Sequence, residues 1–513
     1  MLKKKNSKLP GIALIGGTLA LMLAGTTMAG AAINNGHFAM KATDTGDSKI
    51  TAISGNATRE ANPGGGGGEE EPEVPVEPEI GATFQFTINT AAAGCTAPGI
   101  HLDGLAADAK LIAPDGTEKA PAKGFNTTPA SGQWTLDGTF NKLGSTSATA
   151  GQMNCLISVD KWGKTETKDI SGAFQRTANL QSVATPPSTI TNIESVFRYS
   201  GFNGDVSGWD TANVDRMNNA FADTAKFNNG SAPGASDKPL TWDTSKIFRA
   251  SGVFSKAAVF NQPLNSWDTS KFTATDYMFR DAKLFNQPLD KWNMARVGST
   301  PDMFNGATAF NQNIDGWTMS AVTNTQAMFK NAKAFNQPLN SWDMSKNWVT
   351  AEMFSGASNF NQPLGNWDMA QVTNANQMFM SATSFNQPVG KGAMPVAREL
   401  NGVFQGATSF NQPVNHWAIK NPEWAIGTFL GASSFNQPLD KWSLTGSFGT
   451  NMFLQGATSF EQDLSSWRLN YTGDEGNSAS SIEAFASGAS KFAGNCALWP
   501  TISGNGASVT PCK

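Results

Sequence analysis

The sequence predicts a repeat solenoid, with one short parallel strand and one short helix in each 25-residue coil, preceded by a small β-rich domain. Two observations predict this fold class. Phenylalanine and tryptophan recur every 25 residues through the second half of the chain, which is typical of proteins whose coils contact only their neighbours. Between residues 81 and 160, short segments alternate apolar and polar residues with the period of a β-strand.

Composition divides the 513 residues into five parts. Residues 1–31 have the lysine-rich start, apolar centre and small-residue end of a signal peptide. Residues 32–80 predict a disordered tail and a spacer rich in Gly, Pro and Glu. Residues 81–160 predict the β-rich domain, 161–495 the solenoid of about 11–13 repeats, and 496–513 a disulfide-closed cap.

The apolar stretch near the N-terminus has two interpretations. Residues 11–33 carry no charge and have the length to span a membrane as an uncleaved anchor. The apolar centre is short, however, and glycines interrupt it, which favours cleavage. We therefore expect an exported chain without a membrane span after cleavage.

Two aromatic columns define the predicted core of the repeats. The columns comprise Phe260, Phe285, Phe310, Phe335, Phe360, Phe385, Phe410, Phe435, Phe460, Trp267, Trp292, Trp317, Trp342, Trp367, Trp417, Trp442 and Trp467. An alanine stands three residues before each of these phenylalanines, and Gly392 interrupts the tryptophan column. Because the phenylalanine, tryptophan and alanine positions share one 25-residue period, packing of the tryptophans in the core is favoured over a row of tryptophans that stack on sugars.

The spacing within one unit predicts its elements. Met278, Ala282 and Phe285 lie at offsets that place them on one face of a helix of about two turns, and Pro288 ends that helix. Apolar residues five positions after tryptophan, such as Val322, predict a short strand in each coil. The asparagine after each phenylalanine, such as Asn286, is expected to form a hydrogen-bond ladder between coils.

The four cysteines, Cys95, Cys155, Cys496 and Cys512, suit an oxidising compartment. Three pairings are possible, and pairing within modules favours Cys95–Cys155 and Cys496–Cys512. No spacing typical of a zinc site is present.

Composition and motifs give no indication of an enzyme. The net charge of −4 argues against nucleic acid or anionic membrane as a partner. No catalytic triad, phosphate loop or metal-ligand spacing is found, so we expect no catalytic, cofactor-binding or metal-binding residues. The aspartates that follow the column tryptophans, such as Asp268, alternate with Ala and Arg, which favours turn capping over Ca²⁺ binding. Trp348 and Trp424 lie off the columns and are candidates for exposed contacts.

The repeat unit closely resembles the bacterial surface protein repeat of the BspA-like (DUF285) class, usually grouped with leucine-rich repeat surface proteins. The resemblance rests on the motif Met-Phe-x-x-Ala-x-x-Phe-Asn-Gln-Pro-Leu-x-x-Trp-Asp-x-Ser and covers about residues 158–495. It implies a leucine-rich-repeat-like fold, a surface-exposed array and a role in adhesion or host interaction. It supplies no catalytic residues.

We therefore expect an exported protein at the cell surface or outside the cell, with the periplasm as an alternative. The leading hypothesis is a monomeric binding or adhesion module without catalysis, whose partner is an extracellular protein or glycan. The first alternative is a structural stalk or envelope component. The second is a carbohydrate-binding protein.

The cysteine pairing is directly testable. Mass spectrometry of non-reduced peptides from the exported protein is expected to link Cys95 with Cys155 and Cys496 with Cys512. A peptide that joins Cys155 to Cys496 would contradict the division into modules.

Overall fold

The structure, a computed structural model, describes residues 83–145, 147–163, 165–445, 447–471 and 484–504, together with five short strands nearer the N-terminus. The chain divides into two compact units, Met1–Val76 and Glu77–Lys513. Apart from those five strands, the predicted signal peptide, tail and spacer lie outside the described residues.

The five N-terminal strands form two small antiparallel sheets. Strand β1 (Ala13–Ile15) pairs with β2 (Thr18–Ala20). Strand β4 (His37–Ala39) pairs with both β3 (Ala32–Asn34) and β5 (Gly55–Asn56).

The second unit begins with a mixed sheet of six strands in the order β14-β13-β6-β11-β8-β9. Its central strand β6 keeps Phe84, Phe86 and Ile88 buried, because alternate side chains of a strand share one face. The strands are β6 (Thr83–Ile88), β8 (Lys110–Ile112), β9 (Glu118–Lys119), β11 (Gly132–Asp137), β13 (Leu156–Lys161) and β14 (Ser182–Val183).

A three-stranded antiparallel sheet accompanies it, in the order β10-β7-β12. Its strands are β7 (Gly99–Asp103), β10 (Gly124–Thr127) and β12 (Lys142–Leu143). Helix α1 (Ala150–Met153) precedes β13. Cys155, which directly precedes β13, forms the predicted disulfide with Cys95.

The β-rich region is continuous with the repeats. Strand β13 pairs in parallel with β14, which lies in the first repeats. Lys142 of β12 begins a row of parallel bridges that continues through Asp169 and Asn192 to Trp424 and Gly449. The β-rich region therefore covers the first repeat and supplies the start of its hydrogen-bonded row.

The predicted fold class is wrong, because the repeats contain neither the expected helix nor a regular strand. Between residues 184 and 467, the one helical segment that the structure describes is the 3₁₀ helix Asn415–Trp417. The expected strands are single bridged residues, one per repeat. The repeats are real, but turns joined by isolated bridges replace a helix-and-strand solenoid.

Hydrogen bonding explains the missing helix. In the segment predicted as helix, the amides of Tyr277, Phe279 and Asp281 donate to carbonyls of the next repeat, at 2.9, 2.9 and 2.7 Å. The amides between them close four-residue β-turns, as when Met278 donates to Thr275. In an α-helix each inner amide donates to the carbonyl four residues back, whereas here the bonds within the segment reach three residues back and alternate with bonds to the next repeat.

Two left-handed residues in each repeat make this alternation possible. Tyr277 and Asp281 have φ of 58° and 54°. The residues 25 positions later, Asp302 and Gly306, have φ of 55° and 72°. Backbone with positive φ breaks a right-handed helix. It also rotates every second amide so that its N–H points toward the next repeat.

The apolar interior follows the predicted columns. Phe285 lies 6.0 Å from Phe260 and 6.1 Å from Phe310 between ring centroids, with nearly parallel planes. Trp292 stacks on Trp267 at 6.3 Å, and its indole N–H donates to the Leu264 carbonyl. Trp292 therefore joins two repeats by a ring contact and by a hydrogen bond.

Gly392 interrupts the tryptophan column, and a backbone hydrogen bond replaces the one that a tryptophan would make there. Where a tryptophan would donate to the Leu364 carbonyl, the amide of Gly390 donates instead, at 3.1 Å. Leu364 and Val389 form an additional parallel bridge. Trp367 and Trp417, on either side of the break, are fully buried.

The predicted asparagine ladder is confirmed. The Oδ1 atom of Asn286 accepts from the amide of Asn311, and Asn311 accepts from Asn336, both at 2.9 Å. The predicted turn capping is also confirmed, because Asp268 Oδ1 accepts from the amide of Ser270 at 2.9 Å. The asparagine contacts satisfy partly buried polar groups between repeats, whereas the aspartate contact stabilises an exposed turn.

A short irregular region ends the described chain. Strand β15 (Arg468–Tyr471) pairs in parallel with β16 (Thr501–Gly504), and helix α2 (Ser490–Ala493) and the 3₁₀ helix Cys496–Leu498 precede β16. Cys496 is disulfide-bonded, whereas its predicted partner Cys512 lies outside the described residues. Helices α1 and α2 have four residues each, so the described part of the chain contains no helix suited to crossing a bilayer.

The stacked phenylalanine column is expected to dominate stability. Phe335 has no exposed surface, so Phe335→Ala should lower the free energy of unfolding by about 3–5 kcal/mol, measured by urea denaturation. Phe448→Ala is the matched control, because Phe448 is 62% exposed and its loss should cost at most about 0.5 kcal/mol. Equal losses in the two variants would contradict the assigned core.

Candidate binding surface

One column of residues lies on the surface of the array beside the bridged row. It contains one residue per repeat, none of them buried, and we call it the exposed column: Phe248, Thr273, Gly298, Thr323, Trp348, Thr373, Arg398, Glu423 and Phe448.

Backbone hydrogen bonds fix the spacing of this column. The amide of Trp348 donates to the Thr323 carbonyl, and the amide of Thr373 donates to the Trp348 carbonyl, both at 3.0 Å. The Thr373 hydroxyl also donates to the Trp348 carbonyl, at 3.1 Å. Neighbouring positions therefore lie one strand spacing apart, roughly 4.8 Å.

Large apolar side chains are exposed on this face. Phe448 is 62% exposed, Trp348 is 51% exposed and Phe248 is 37% exposed. Trp424, which follows the column residue Glu423, is 37% exposed and lies 5.9 Å from the Phe448 ring. Exposed aromatic residues that share one surface are typical of contact sites.

An open groove of about 800 Å³ lies at the centre of the column. Trp348 and Val396 supply its apolar surface, and the other lining residues are polar or charged. Those residues are Thr323, Ser345, Lys346, Gln371, Thr373 and Arg398. The groove therefore combines a flat aromatic ring with hydroxyl, amide and cationic groups.

The charges at the groove are weakly neutralised. Arg398 pairs with Glu423 at 3.3 Å, but both side chains are exposed, and such pairs contribute only about 0–1 kcal/mol. Hydrogen bonds from the Ser345 side chain and amide lower the pKa of Asp343, and the Lys346 and Lys391 ammonium groups assist. Asp343 thus stays ionised and orients the turn that carries Ser345 and Lys346.

The residues singled out from the sequence fall into two environments. The nine column phenylalanines have no exposed surface, and the eight column tryptophans are at most 3% exposed. Trp348 and Trp424, the two tryptophans off the columns, are exposed on one face. His416, one of the three histidines, has its Nε2 atom within 2.8 Å of the Gly390 carbonyl.

Sequence reasoning missed four residues of this surface: Phe248, Phe448, Val396 and Arg398. A signal for the two phenylalanines existed. Phe248 and Phe448 stand 100 residues before and after Trp348, at the same position of the repeat. Comparing that position across units would have shown three aromatic residues where other units carry small or polar ones.

The fold and surface define a repeat protein with a buried aromatic core and an exposed column that carries three aromatic side chains. The family model described as "Mycoplasma protein of unknown function, DUF285" matches residues 168–233, 235–342, 309–395 and 394–499. Since these matches cover more than half of the sequence, the chain belongs to the DUF285 family. No curated protein and no solved structure matches it.

The exposure of Trp348 predicts a fluorescence result. Of the 15 tryptophans, Trp348 and Trp424 are the two with substantial exposure. Trp348→Phe is expected to remove more than half of the emission that acrylamide quenches. Trp342→Phe, at a position that is 2% exposed, should leave that fraction unchanged. A fraction unaffected by Trp348→Phe would contradict the position of the groove.

Proposed function

We propose that this protein is an exported bacterial binding or adhesion module, located at the cell surface or outside the cell, and without catalytic activity. Its partner is an extracellular protein or glycan, which it contacts through the exposed column. The observation that carries this proposal is the set of large aromatic side chains exposed on one face of an otherwise well-packed array.

Three features support export. Residues 1–31 have the composition of a signal peptide. Cys95 and Cys155 form a disulfide, and disulfides persist chiefly in oxidising compartments. The resemblance to BspA-like repeats implies a surface-exposed array, which is consistent with both.

The energetics of the exposed column support binding over a purely structural role. Exposed tryptophan and phenylalanine contribute nothing to the stacked core, and apolar surface in contact with water is unfavourable. A partner that covers Trp348, Trp424 and Phe448 would gain this hydrophobic free energy. Trp and Arg are also residues that often dominate binding energy in interfaces.

The rigidity of the face also suits an extended partner. Phe248 and Phe448 are eight repeats apart, which corresponds to roughly 38 Å at the strand spacing. Because the backbone ladder orders the column before binding, little conformational entropy is lost on contact. A stalk would need the core of this array but not its exposed aromatic side chains.

Binding through the column can be tested on protein and glycan arrays with the full exported chain. Trp348→Ala is expected to weaken binding about 10-fold or more, as for a central contact residue. Tyr277→Ala is the matched control, because Tyr277 is 41% exposed at a different position of the repeat. Both variants should unfold at the wild-type temperature.

Two results would contradict this proposal. One is saturable binding that Trp348→Ala leaves intact. The other is the absence of binding on both arrays, together with a damaged envelope when residues 161–495 are deleted, which would favour the structural stalk.

A further inference from the structure

The exposed column is close to symmetric about its central residue, Trp348. Phe248 and Phe448 stand four repeats before and after it, and all three rings are exposed. Thr323 and Thr373 stand one repeat before and after it. In a two-fold symmetric dimer each interface residue meets its symmetry counterpart on the second copy. The column therefore has the residue order of a surface that can pair with itself in the antiparallel direction.

Where the two halves of the column differ, a small residue is matched by a large one. Gly298 stands two repeats before Trp348, and Arg398 stands two repeats after it. Apart from its chain neighbours, a Cβ added at Gly298 would have no atom closer than the Thr273 carbonyl oxygen, at 4.0 Å. The surface above this glycine is therefore open. Antiparallel pairing about Trp348 places the Arg398 side chain, which is 69% exposed, over this position of the second copy.

The same match occurs in the bridged row beside the column. Trp424 and Ala274 stand three repeats after and three repeats before Val349 in that row. The Trp424 ring is exposed next to the Phe448 ring. Antiparallel pairing places this ring over the methyl group of Ala274 on the second copy, where a larger side chain would collide. Such complementarity of shape is typical of the core of specific interfaces.

Charge favours the antiparallel direction over the parallel one. Parallel two-fold pairing would place Arg398 against Arg398 and Glu423 against Glu423. In the antiparallel pair Glu423 faces Thr273 of the second copy and lies near Lys271, which has no ion pair in the described part of the chain. Lys346 meets its own copy at the axis, but this ammonium group also lowers the pKa of Asp343, so a carboxylate lies near each copy of it.

The face is straight and large enough for a weak dimer. The ring planes of Trp292, Trp317, Trp342 and Trp367 differ by 7°, 2° and 1° between neighbours, so the array bends little around Trp348. The column spans roughly 38 Å, and a segment of about five residues across it spans roughly 16 Å. The pair would therefore bury roughly 1,200 Å², which is the lower limit of specific interfaces. An interface of this size is typical of a dimer with a dissociation constant of about micromolar.

We infer, resting on the function proposed above, that the exposed column binds a second copy of this chain in the antiparallel direction, with the two-fold axis at Trp348. The extracellular protein partner is then the same protein, and the dimer replaces the monomer expected from the sequence. Because the β-rich region covers the first repeat, the pair carries its two β-rich regions at opposite ends. Chains displayed on two facing cell surfaces can meet in this arrangement.

Sedimentation velocity of the full exported chain tests self-association. The wild type should pass from monomer to dimer with a dissociation constant of about 1–100 µM. Trp348→Ala should raise that constant about 10-fold or more. Gly298→Gln should do the same by filling the open position, and it adds no backbone strain because the φ of Gly298 is not positive. Tyr277→Ala, which removes an exposed ring at a different repeat position, should leave the constant unchanged.

Disulfide crosslinking reports the direction of pairing. When a Thr273→Cys chain and a Glu423→Cys chain are mixed under mild oxidation, the introduced thiols should link the two chains. Neither chain should link to itself, because like positions lie six repeats apart in the antiparallel pair, roughly 29 Å. Self-linking of the Thr273→Cys chain alone would contradict the antiparallel direction.

Two sedimentation results would overturn the inference. A chain that stays monomeric at about 1 mM, well above the expected dissociation constant, would exclude the dimer. Saturable array binding that Trp348→Ala abolishes would still support the proposed function in that case. A dimer that both Trp348→Ala and Gly298→Gln leave intact would place the interface elsewhere on the chain.

Discussion

The amide groups of each turn segment determine the architecture of the repeats. In every unit, alternate amides donate to carbonyls of the next repeat, and the amides between them close turns within their own repeat. This arrangement requires two left-handed residues per repeat, at the positions of Tyr277 and Asp281. It satisfies the backbone without helix or continuous sheet, and it leaves one strand spacing between repeats. The aromatic columns then stack because the backbone has fixed their separation.

The same spacing organises the exposed surface. Side chains that share a repeat position form a row whether they point inward or outward. Inside, identical residues stack, as with Trp317 and Trp342, whose planes differ by 2°. Outside, the row tolerates change, so that Trp348, Arg398 and Phe448 occupy positions where other units have Thr or Gly. A specific face can therefore vary without altering the core that supports it.

Much of the core could be predicted from the sequence, but the backbone of the repeats could not be predicted correctly. The 25-residue period identified the phenylalanine and tryptophan columns and the asparagine ladder. The predicted helix was wrong because the spacing of Met278, Ala282 and Phe285 fits a helix and also fits a run of β-turns. A signal against the helix was present, since Gly306, Gly356 and Gly406 occupy the position of Asp281. Repeated glycine with Asp and Asn at one position is typical of left-handed backbone. The strand order of the β-rich region depends on pairing between strands distant in sequence, which local patterns do not determine.

The central claim is that repeats lie one strand spacing apart even at the turn segments. Double electron–electron resonance between two spin labels tests this claim. The labels are placed at Lys283 and Thr383, which are exposed residues four repeats apart at the same turn position. A label separation of roughly 19–25 Å is expected from the strand spacing and from the 5.5–6.3 Å ring stacking between repeats. A separation of roughly 32–40 Å, as expected for helices packed side by side at 8–10 Å, would contradict it.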